Sequence, residues 1–342
     1  MRNKDRHLPR VGTRKAREWC AVWDASTHLE KFALCVKSGV AYQSGKNFRL
    51  ANRVKFVKQT YTIPPDSSWQ EQIDILIQLN KLIAVHQKFP TEISLVIPTS
   101  LPIGVVIFSD EHIGASGVDL AGLKRDWTIA KEEPGLYTIQ GGDGYHNIIQ
   151  ASKVGSSHNQ APIAVQKAIY VNMLRDNKEK ILCMGIGQHN YWTALLEGED
   201  WDAELARRLK IVYTKHYARI ILKVGNMIYP ILRMHKSQFN SQFNLTHTCK
   251  QNQRIHFPEA RIVVAEDKHV ADMEQYRYND QECVAIRTGT YAVYDDYAQQ
   301  NGFYGEHVCN PTVILYPNED KLVGFKDMHD AIIYLRAVRG NK

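Results

Sequence analysis

Eight side chains with oxygen or nitrogen donor atoms each lie at or just after the end of a short apolar run in the sequence. None of them is a cysteine, so the set does not suit a structural thiolate zinc site and suits Mn, Fe or Zn held by carboxylates and imidazoles. The donors outnumber one coordination sphere, and two metal ions sharing a carboxylate account for them economically. The eight residues are Asp110, His112, Asp143, Gln188, His189, His235, Asp267 and His269.

Two metal ions ~3.5–4 Å apart would give this donor set a definite chemistry. Such a pair clamps a phosphate group, lowers the pKa of a bridging water and stabilises both the attacking and the leaving oxygen. The leaving alkoxide also needs a proton, and a histidine with a pKa near neutrality can supply it. The donor set therefore predicts metal-dependent hydrolysis of a phosphate ester.

The elements that must position these donors read as strands that alternate with helices. Short apolar or β-branched runs end in the donors, and stretches able to form helices lie between the first three, which predicts an α/β core. In open α/β sheets, sites collect beyond the carboxyl ends of the strands. The five runs are GVVIFSDEH (104–112), LYTIQGGD (136–143), ILCMGIGQH (181–189), MIYPILRMH (227–235) and ARIVVAEDKH (260–269).

The order of these motifs resembles the calcineurin-like metallophosphoesterase superfamily over about residues 100–342. The family pattern runs D-x-H, G-D, G-N-H-D/E, a lone H and then G-H-x-H. Two further segments, LRMHKSQFNSQFNLTHT and IRTGTYAVYDDYAQQNGFYGEHVCNPTVILYP, look like phage- or prophage-encoded members. The resemblance implies a four-layer αββα sandwich. The counterparts here are Asp110-Glu-His112, Gly142-Asp143, Gly187-Gln-His-Asn190, His235 and Glu266-Asp-Lys-His269.

The resemblance also implies a role for each residue. Asp110, His112 and His269 would hold the first metal ion, and Asp143 would bridge. His235 would hold the second ion, with Gln188 and Asp267 in the places of the usual asparagine and histidine. His189 would be the general acid or would contact the phosphate. His146, Asn147 and Asn190 would support the ligands or contact the substrate.

The second metal position departs most from the family pattern. Gln188 still offers an amide oxygen, but its extra methylene moves that oxygen by ~1.5 Å. Asp267 offers a carboxylate in place of an imidazole, and either residue could instead orient a ligand or a water. Both changes favour Mn, with Mg, Fe and Zn as alternatives.

Other residues near this position leave alternatives open. Glu266 stands where the pattern has a glycine, Asn190 replaces an acid, and His216 and His247 compete with His235 for its role.

The positive charge of the chain lies at its N-terminus. Residues 1–60 contain 14 Lys/Arg and 4 Asp/Glu, a net charge of +10, whereas the remaining residues contain 29 and 32, a net charge of −3. A segment this basic commonly binds nucleic acid. The alternative for the whole segment is a solvated tail without a partner. Residues 27–58 have two short helical patterns, which could form a helix-turn-helix or a basic helical domain that does not read a DNA groove.

The sequence divides into three parts. We expect a basic, mainly helical domain over 1–60, a linker and connecting helix over 61–99, and a metallophosphoesterase domain over 100–342. Ser68-x-x-Glu71 has the form of a capping box that begins the connecting helix. Six cysteines without a C-x-x-C pair, no signal peptide and no apolar run of membrane-spanning length predict a cytoplasmic protein, in the host cytoplasm if it is phage-encoded.

The sequence is consistent with three functions. The first is a two-metal phosphodiesterase that acts on nucleic acid, with His189 as the acid. The second is a phosphodiesterase or phosphatase that acts on small nucleotides. The third is a nucleic-acid-binding protein whose metal site has degenerated. The tyrosines of residues 276–297 mostly predict packing, with stacking on a base as the alternative reading.

Overall fold

The computed structural model describes residues 8, 14–25, 30–31, 34, 68–86, 92–149, 159–293 and 310–340. The chain divides into two compact units, Met1–Lys88 and Phe89–Lys342. The two helical patterns predicted over 27–58 lie almost wholly outside the described residues, as do Tyr294 and Tyr297. Among the described residues, no helix combines the length and the hydropathy of a membrane span.

The first unit contains two described helices, α1 (Arg14–Ala25) and α2 (Trp69–His86). On α1, Trp19 and Trp23 are buried and stack with ring centroids 5.2 Å apart. The predicted capping box begins α2, because the Ser68 N–H donates to the Glu71 carboxylate at 2.8 Å and the Glu71 N–H donates to Ser68 Oγ at 3.3 Å. These reciprocal bonds satisfy backbone donors that a helix start leaves open.

The second unit holds two mixed sheets and six described helices. Its strands are β1 (Glu92–Ile97), β2 (Ile103–Phe108), β3 (Leu136–Gln140), β4 (Ile181–Met184), β5 (Tyr217–Val224), β6 (Met227–Met234), β7 (Ile262–Ala265), β8 (Asp272–Tyr278), β9 (Gln281–Arg287), β10 (Thr312–Leu315) and β11 (Leu322–Phe325). Its helices are α3 (Leu120–Glu132), α4 (Ile163–Asn177), α5 (Gln188–Glu197), α6 (Trp201–Leu209), α7 (His247–His256) and α8 (Met328–Arg339).

The six-stranded sheet has the order β1-β5-β6-β7-β9-β8, and the five-stranded sheet has the order β11-β10-β2-β3-β4. Strands β2, β3 and β4 run parallel to one another, as do β6, β7 and β9. Strand β1, which lies in the range predicted as linker and helix, pairs in parallel with β5 at the edge of the larger sheet.

The side chains of β2 show why the unit is layered. Ile107 packs in the core between the two sheets together with Leu222 of β5, whereas Phe108 points to the helical side and stacks on Trp127 of α3 at 4.6 Å. This alternation follows from the two-residue period of a strand. On the other sheet, Val263 packs in a separate core with Cys249 of α7. The predicted α/β fold with two facing sheets and helices on both outer faces is confirmed.

The parallel strands bring the predicted donors to common sheet edges. Phe108 at the end of β2 pairs with Gln140 of β3, and Gln140 pairs with Met184 of β4, so the three motifs that follow these strands are neighbours. Met234 of β6 likewise pairs with Ala265 of β7, directly before His235 and Glu266.

Candidate metal centre

The backbone of the centre lies in an unusual conformation. Among the described residues, eleven non-glycine residues have a positive φ, and six of them were predicted as site residues. Left-handed backbone costs free energy for residues other than glycine and clusters at functional sites, where surrounding contacts enforce it. The six are Asp110 (54°), His112 (47°), Asp143 (57°), Asn147 (49°), Asp267 (72°) and His269 (59°).

Hydrogen bonds to neighbouring loops hold the segment that carries Asp110 and His112. The Asp110 N–H donates to the Gly142 carbonyl at 2.9 Å, and the His112 N–H donates to the Asp143 carbonyl at 3.0 Å. The Thr290 hydroxyl donates to the Asp110 carbonyl at 2.7 Å. The loop is therefore fixed from two sides, which lets its backbone keep the left-handed conformation.

Asp110, His112 and His269 form the first group of donors, which lie within 4.8 Å of one another. The His112 and His269 rings face each other through their Nε2 atoms at 3.0 Å, and His269 Nε2 lies 3.5 Å from Asp110 Oδ1. That Oδ1 atom is buried and accepts no hydrogen bond from any residue that the structure describes. Two converging imidazoles and an unpaired buried carboxylate oxygen fit a divalent cation.

Asp110, Asp143 and His235 form the second group. His235 Nε2 lies 3.2 Å from Asp143 Oδ2 and 3.8 Å from Asp267 Oδ1. Asp110 belongs to both groups, so it is a carboxylate that the two positions share.

Burial and neighbouring charge set opposite protonation tendencies in the metal-free centre. Burial, reinforced by the neighbouring imidazoles of His189 and His269, lowers the pKa of His112 well below its usual value. Burial opposes protonation of His235 too, but the carboxylates of Asp143, Glu266 and Asp110 together outweigh it and raise the pKa of His235 well above the usual value. At His269, burial is likewise outweighed by Asp110, and the pKa is raised.

The neighbouring imidazoles have the opposite effect on the pKa of the Asp143 carboxyl. Burial favours its neutral form, but the imidazoles of His189 and His235 outweigh burial and hold its pKa well below the usual value. Because metal ligands must be deprotonated, an ion that enters this centre has to displace protons from imidazoles, whereas Asp143 is ready to bind.

His189 lies at the start of α5, and with His112 and His146 it forms a third set of donors whose ligand atoms lie within 4.8 Å of one another. Its Nδ1 atom is 2.6 Å from the carbonyl oxygen of His146, which fixes the proton on Nδ1 and leaves Nε2 for other partners. Its backbone N–H donates to Asp143 Oδ1 at 2.8 Å, and its ring stacks on Trp192 with centroids 4.7 Å apart. The ring centroid of His112 is 4.8 Å away, so His189 lies next to the first group.

The residues predicted to support the ligands lie around His189. His146 Nδ1 is 3.3 Å from His112 Nδ1, on the side of that ring opposite the first group. The Asn147 amide donates to the His189 carbonyl at 2.7 Å and to Thr193 Oγ1 at 2.8 Å, which ties α5 to the loop after β3. Asn190 is buried, and its side chain hydrogen-bonds to Asp202 of α6.

Gln188 and Asp267 stand at the rim of the second group. The Gln188 backbone N–H lies 3.2 Å from His235 Nε2. The Asp267 carboxylate is half-buried and also lies 4.0 Å from the Lys236 ammonium and 3.7 Å from the Lys268 ammonium. Gln188 approaches His235 through its backbone and Asp267 through its carboxylate, and the role of either side chain as a metal ligand stays a prediction.

The two histidines that competed with His235 lie elsewhere. His216 contributes its carbonyl to the His235 N–H at 2.9 Å, its ring packs on Tyr191 at 4.5 Å, and burial lowers its pKa to about 4. His247 begins α7 and belongs to none of the donor groups found among the described residues.

Two residues beneath the centre were not predicted as site residues. Arg233 and Glu266 are both fully buried and form an ion pair beneath His235. A charged residue inside the apolar run MIYPILRMH was the available signal, because a buried cation requires a partner.

No protein-family model and no curated protein sequence matches this chain. Among solved structures, a predicted phosphoesterase from Streptococcus pneumoniae is 12% identical, with a TM-score of 0.33 over 66% of this chain and 100% of that one. A metallophosphoesterase from Sphaerobacter thermophilus is 12% identical, with a TM-score of 0.33 over 70% and 95%. A calcineurin-like phosphoesterase from Bacillus subtilis is 8% identical, with a TM-score of 0.36 over 70% and 96%. All three neighbours are described as phosphoesterases.

Proposed function

We propose that this protein is a metal-dependent phosphoesterase that hydrolyses phosphodiester bonds, with nucleic acid as the substrate class. One observation carries the proposal: two groups of carboxylate and imidazole donors, all buried except the partly exposed His269, share Asp110 at the carboxyl ends of parallel strands. Such adjoining groups fit two neighbouring cations, and paired cations of this kind catalyse in-line displacement at phosphorus.

The two ions would be held by different residues. Asp110, His112 and His269 would hold the first, and Asp143, His235 and the rim residue Asp267 would hold the second, with Asp110 common to both donor groups. When bound, the pair would supply a water of lowered pKa and would neutralise charge on the phosphoryl oxygens. The donors are oxygen and nitrogen atoms and the rim carries a carboxylate, so Mn is the ion that we propose, with Mg as the alternative.

His189 would deliver the proton that the leaving oxygen needs. Its Nδ1–H group is committed to the His146 carbonyl at 2.6 Å, and Trp192 holds the ring by stacking. Its Nε2 atom is therefore the one that can carry a proton to the substrate.

The surroundings of the centre favour an anionic substrate. The side chains of Lys236 and Lys268 are 56% and 51% exposed, and both ammonium groups lie within 4.0 Å of Asp267 at the rim. A cation partly exposed next to a metal centre can pair with a phosphate oxygen. The basic segment 1–60, with its net charge of +10, would add non-specific affinity for a polynucleotide.

The proposal is tested by hydrolysis of bis(p-nitrophenyl) phosphate in the presence of Mn, with Asp143→Asn and His189→Ala as variants. We expect turnover by the wild type that depends on added Mn and is lost in both variants. Absence of turnover on any phosphodiester or phosphomonoester would contradict an enzymatic function and favour the nucleic-acid-binding alternative. Faster turnover of cyclic nucleotides or phosphomonoesters than of DNA and RNA would favour the small-nucleotide alternative.

The proposed binding of nucleic acid is tested separately, with a chain that lacks residues 1–60. We expect its affinity for DNA and RNA to fall, and the wild-type affinity to fall steeply with salt, while hydrolysis of the small ester is unchanged. Unchanged nucleic-acid binding after the deletion would refute a role for this segment. The phage origin and the cytoplasmic location remain predictions of the sequence.

A further inference from the structure

A buried ion pair lies directly beneath the second group of donors. Arg233 Nε lies 2.7 Å from Glu266 Oε1, and Arg233 Nη2 lies 2.7 Å from Glu266 Oε2. Both side chains are 0% exposed. The geometry is that of a bidentate pair, which fixes the carboxylate in orientation as well as in position.

The Glu266 carboxylate also reaches the centre. Its Oε2 atom accepts a hydrogen bond from the Gly142 backbone N–H at 3.0 Å and lies 3.0 Å from His235 Nδ1. The opposite ring atom, His235 Nε2, faces Asp143 Oδ2 at 3.2 Å. A carboxylate at Nδ1 keeps a proton on that nitrogen, so the proton that a metal ion would displace is the one on Nε2, the atom that faces the second group.

The surrounding backbone leaves room for this arrangement. A Cβ atom on Gly185 would lie 2.0 Å from Arg233 Nη1, and one on Gly142 would lie 2.5 Å from His235 Nδ1. Arg233 Nη1 also donates to the Lys215 carbonyl at 2.7 Å. The guanidinium is therefore paired on both of its sides, which is the condition under which a buried charge is tolerated.

We propose that Glu266 is a positioning residue, held by Arg233, that orients His235 toward the second metal ion. The proposal rests on the proposed two-metal function and adds a residue pair that sets the affinity of one ion. Partners that orient a metal-ligating histidine typically alter metal affinity 10–100-fold when they are removed. Among the described residues, the Glu266 side chain forms no hydrogen bond or ion pair with Asp110, His112 or His269, so the ion of the first group should be unaffected.

The test measures Mn binding to the full chain by calorimetry, together with the exchange-coupled electron paramagnetic resonance signal of a two-Mn centre. Glu266→Gln alone would leave the Arg233 charge buried without its partner, so the decisive variant is Arg233→Met combined with Glu266→Gln. Glu111→Gln is the matched control, because Glu111 is an equally buried carboxyl next to Asp110 whose hydrogen bond goes to Gln140.

We expect the wild type and Glu111→Gln to bind two Mn ions. The double variant should keep one ion at wild-type affinity, bind the other at least tenfold more weakly and lose the coupled signal. A folded double variant that binds both ions as the wild type does would overturn the proposal, and so would equal weakening of both ions. Fewer than two ions on the wild type would refute the two-metal function itself, so the two failures are distinguishable.

A second measurement needs no variant. Nitrogen-15 spectra of the Zn-loaded wild type, labelled at histidine, report which ring nitrogen of His235 carries the proton. We expect Nδ1–H, since Glu266 lies at that atom. An Nε2–H tautomer in the loaded protein would overturn the role of Glu266.

Discussion

Glu111, between two predicted metal ligands, should make the stability of the metal-free protein depend on pH. Its side chain is 0% exposed, and its Oε2 atom accepts a hydrogen bond from Gln140 at 3.1 Å. Its Oε1 atom is buried and has no hydrogen-bond partner among the described residues. Burial is the main cause that raises the pKa of this carboxyl from 4.5 to about 8.

The sign of the effect follows from proton counting. Between pH 4.5 and about 8, Glu111 is protonated in the folded chain and ionised in the unfolded chain. The folded state binds more protons there, so the stability contributed by the neutral carboxyl is present below pH 4.5 and is lost as the pH rises toward 8. Each pH unit in this window lowers the free energy of unfolding by about 1.4 kcal/mol, so the stability lost between about pH 5 and pH 7 is about 3 kcal/mol.

Glu111→Gln removes the titration and keeps an oxygen that can accept from Gln140. We expect the free energy of unfolding of this variant, relative to that of the wild type, to rise by about 3 kcal/mol from pH 5 to pH 7. Urea unfolding in the presence of EDTA, followed by circular dichroism, measures this difference.

Glu274→Gln is the control for this experiment. The Lys250 ammonium lowers the pKa of Glu274, so this carboxylate is ionised in both states over the same range and its variant should show no such pH dependence. A pH-independent difference for Glu111→Gln would refute the reasoning, because it would mean that Glu111 is ionised in the folded protein.

Four further predictions concern the centre. Asp110→Asn should lower the number of bound Mn ions and abolish hydrolysis, because Asp110 belongs to both donor groups; calorimetry showing two ions at wild-type affinity would contradict this. His189→Ala should lower kcat about 10²–10⁴-fold and leave the Mn stoichiometry unchanged, and a lost ion would make His189 a ligand instead. Mn affinity should fall as the pH falls from 8 to 6, by about tenfold per unit for each proton displaced, because the pKa values of His235 and His269 are raised; equal affinities at both pH values would contradict proton competition. Gly142→Ala should destabilise the fold by about 1–3 kcal/mol, because its Cβ would lie 2.4 Å from the Gly187 Cα; an unchanged melting temperature would show that the loops yield freely.

The sequence by itself determined which donors would gather. Asp110, Asp143 and His189 each follow a short apolar strand, and strands of a parallel sheet end at the same edge, so their proximity follows from local pattern and one general rule. The capping box at Ser68 could equally be predicted from the sequence, since its two partners are three residues apart. Such features depend on neighbours along the chain, which the sequence shows directly.

Tertiary structure alone decided how the donors meet. It made Asp110 common to both groups, chose His235 over His216, and placed Glu266 against Arg233, 33 residues away in sequence. It also paired β1 with β5, and the local pattern of residues 92–97 does not predict this pairing. These outcomes depend on strand pairing and burial between segments remote in sequence, and distances between remote side chains exist only once the two sheets have packed.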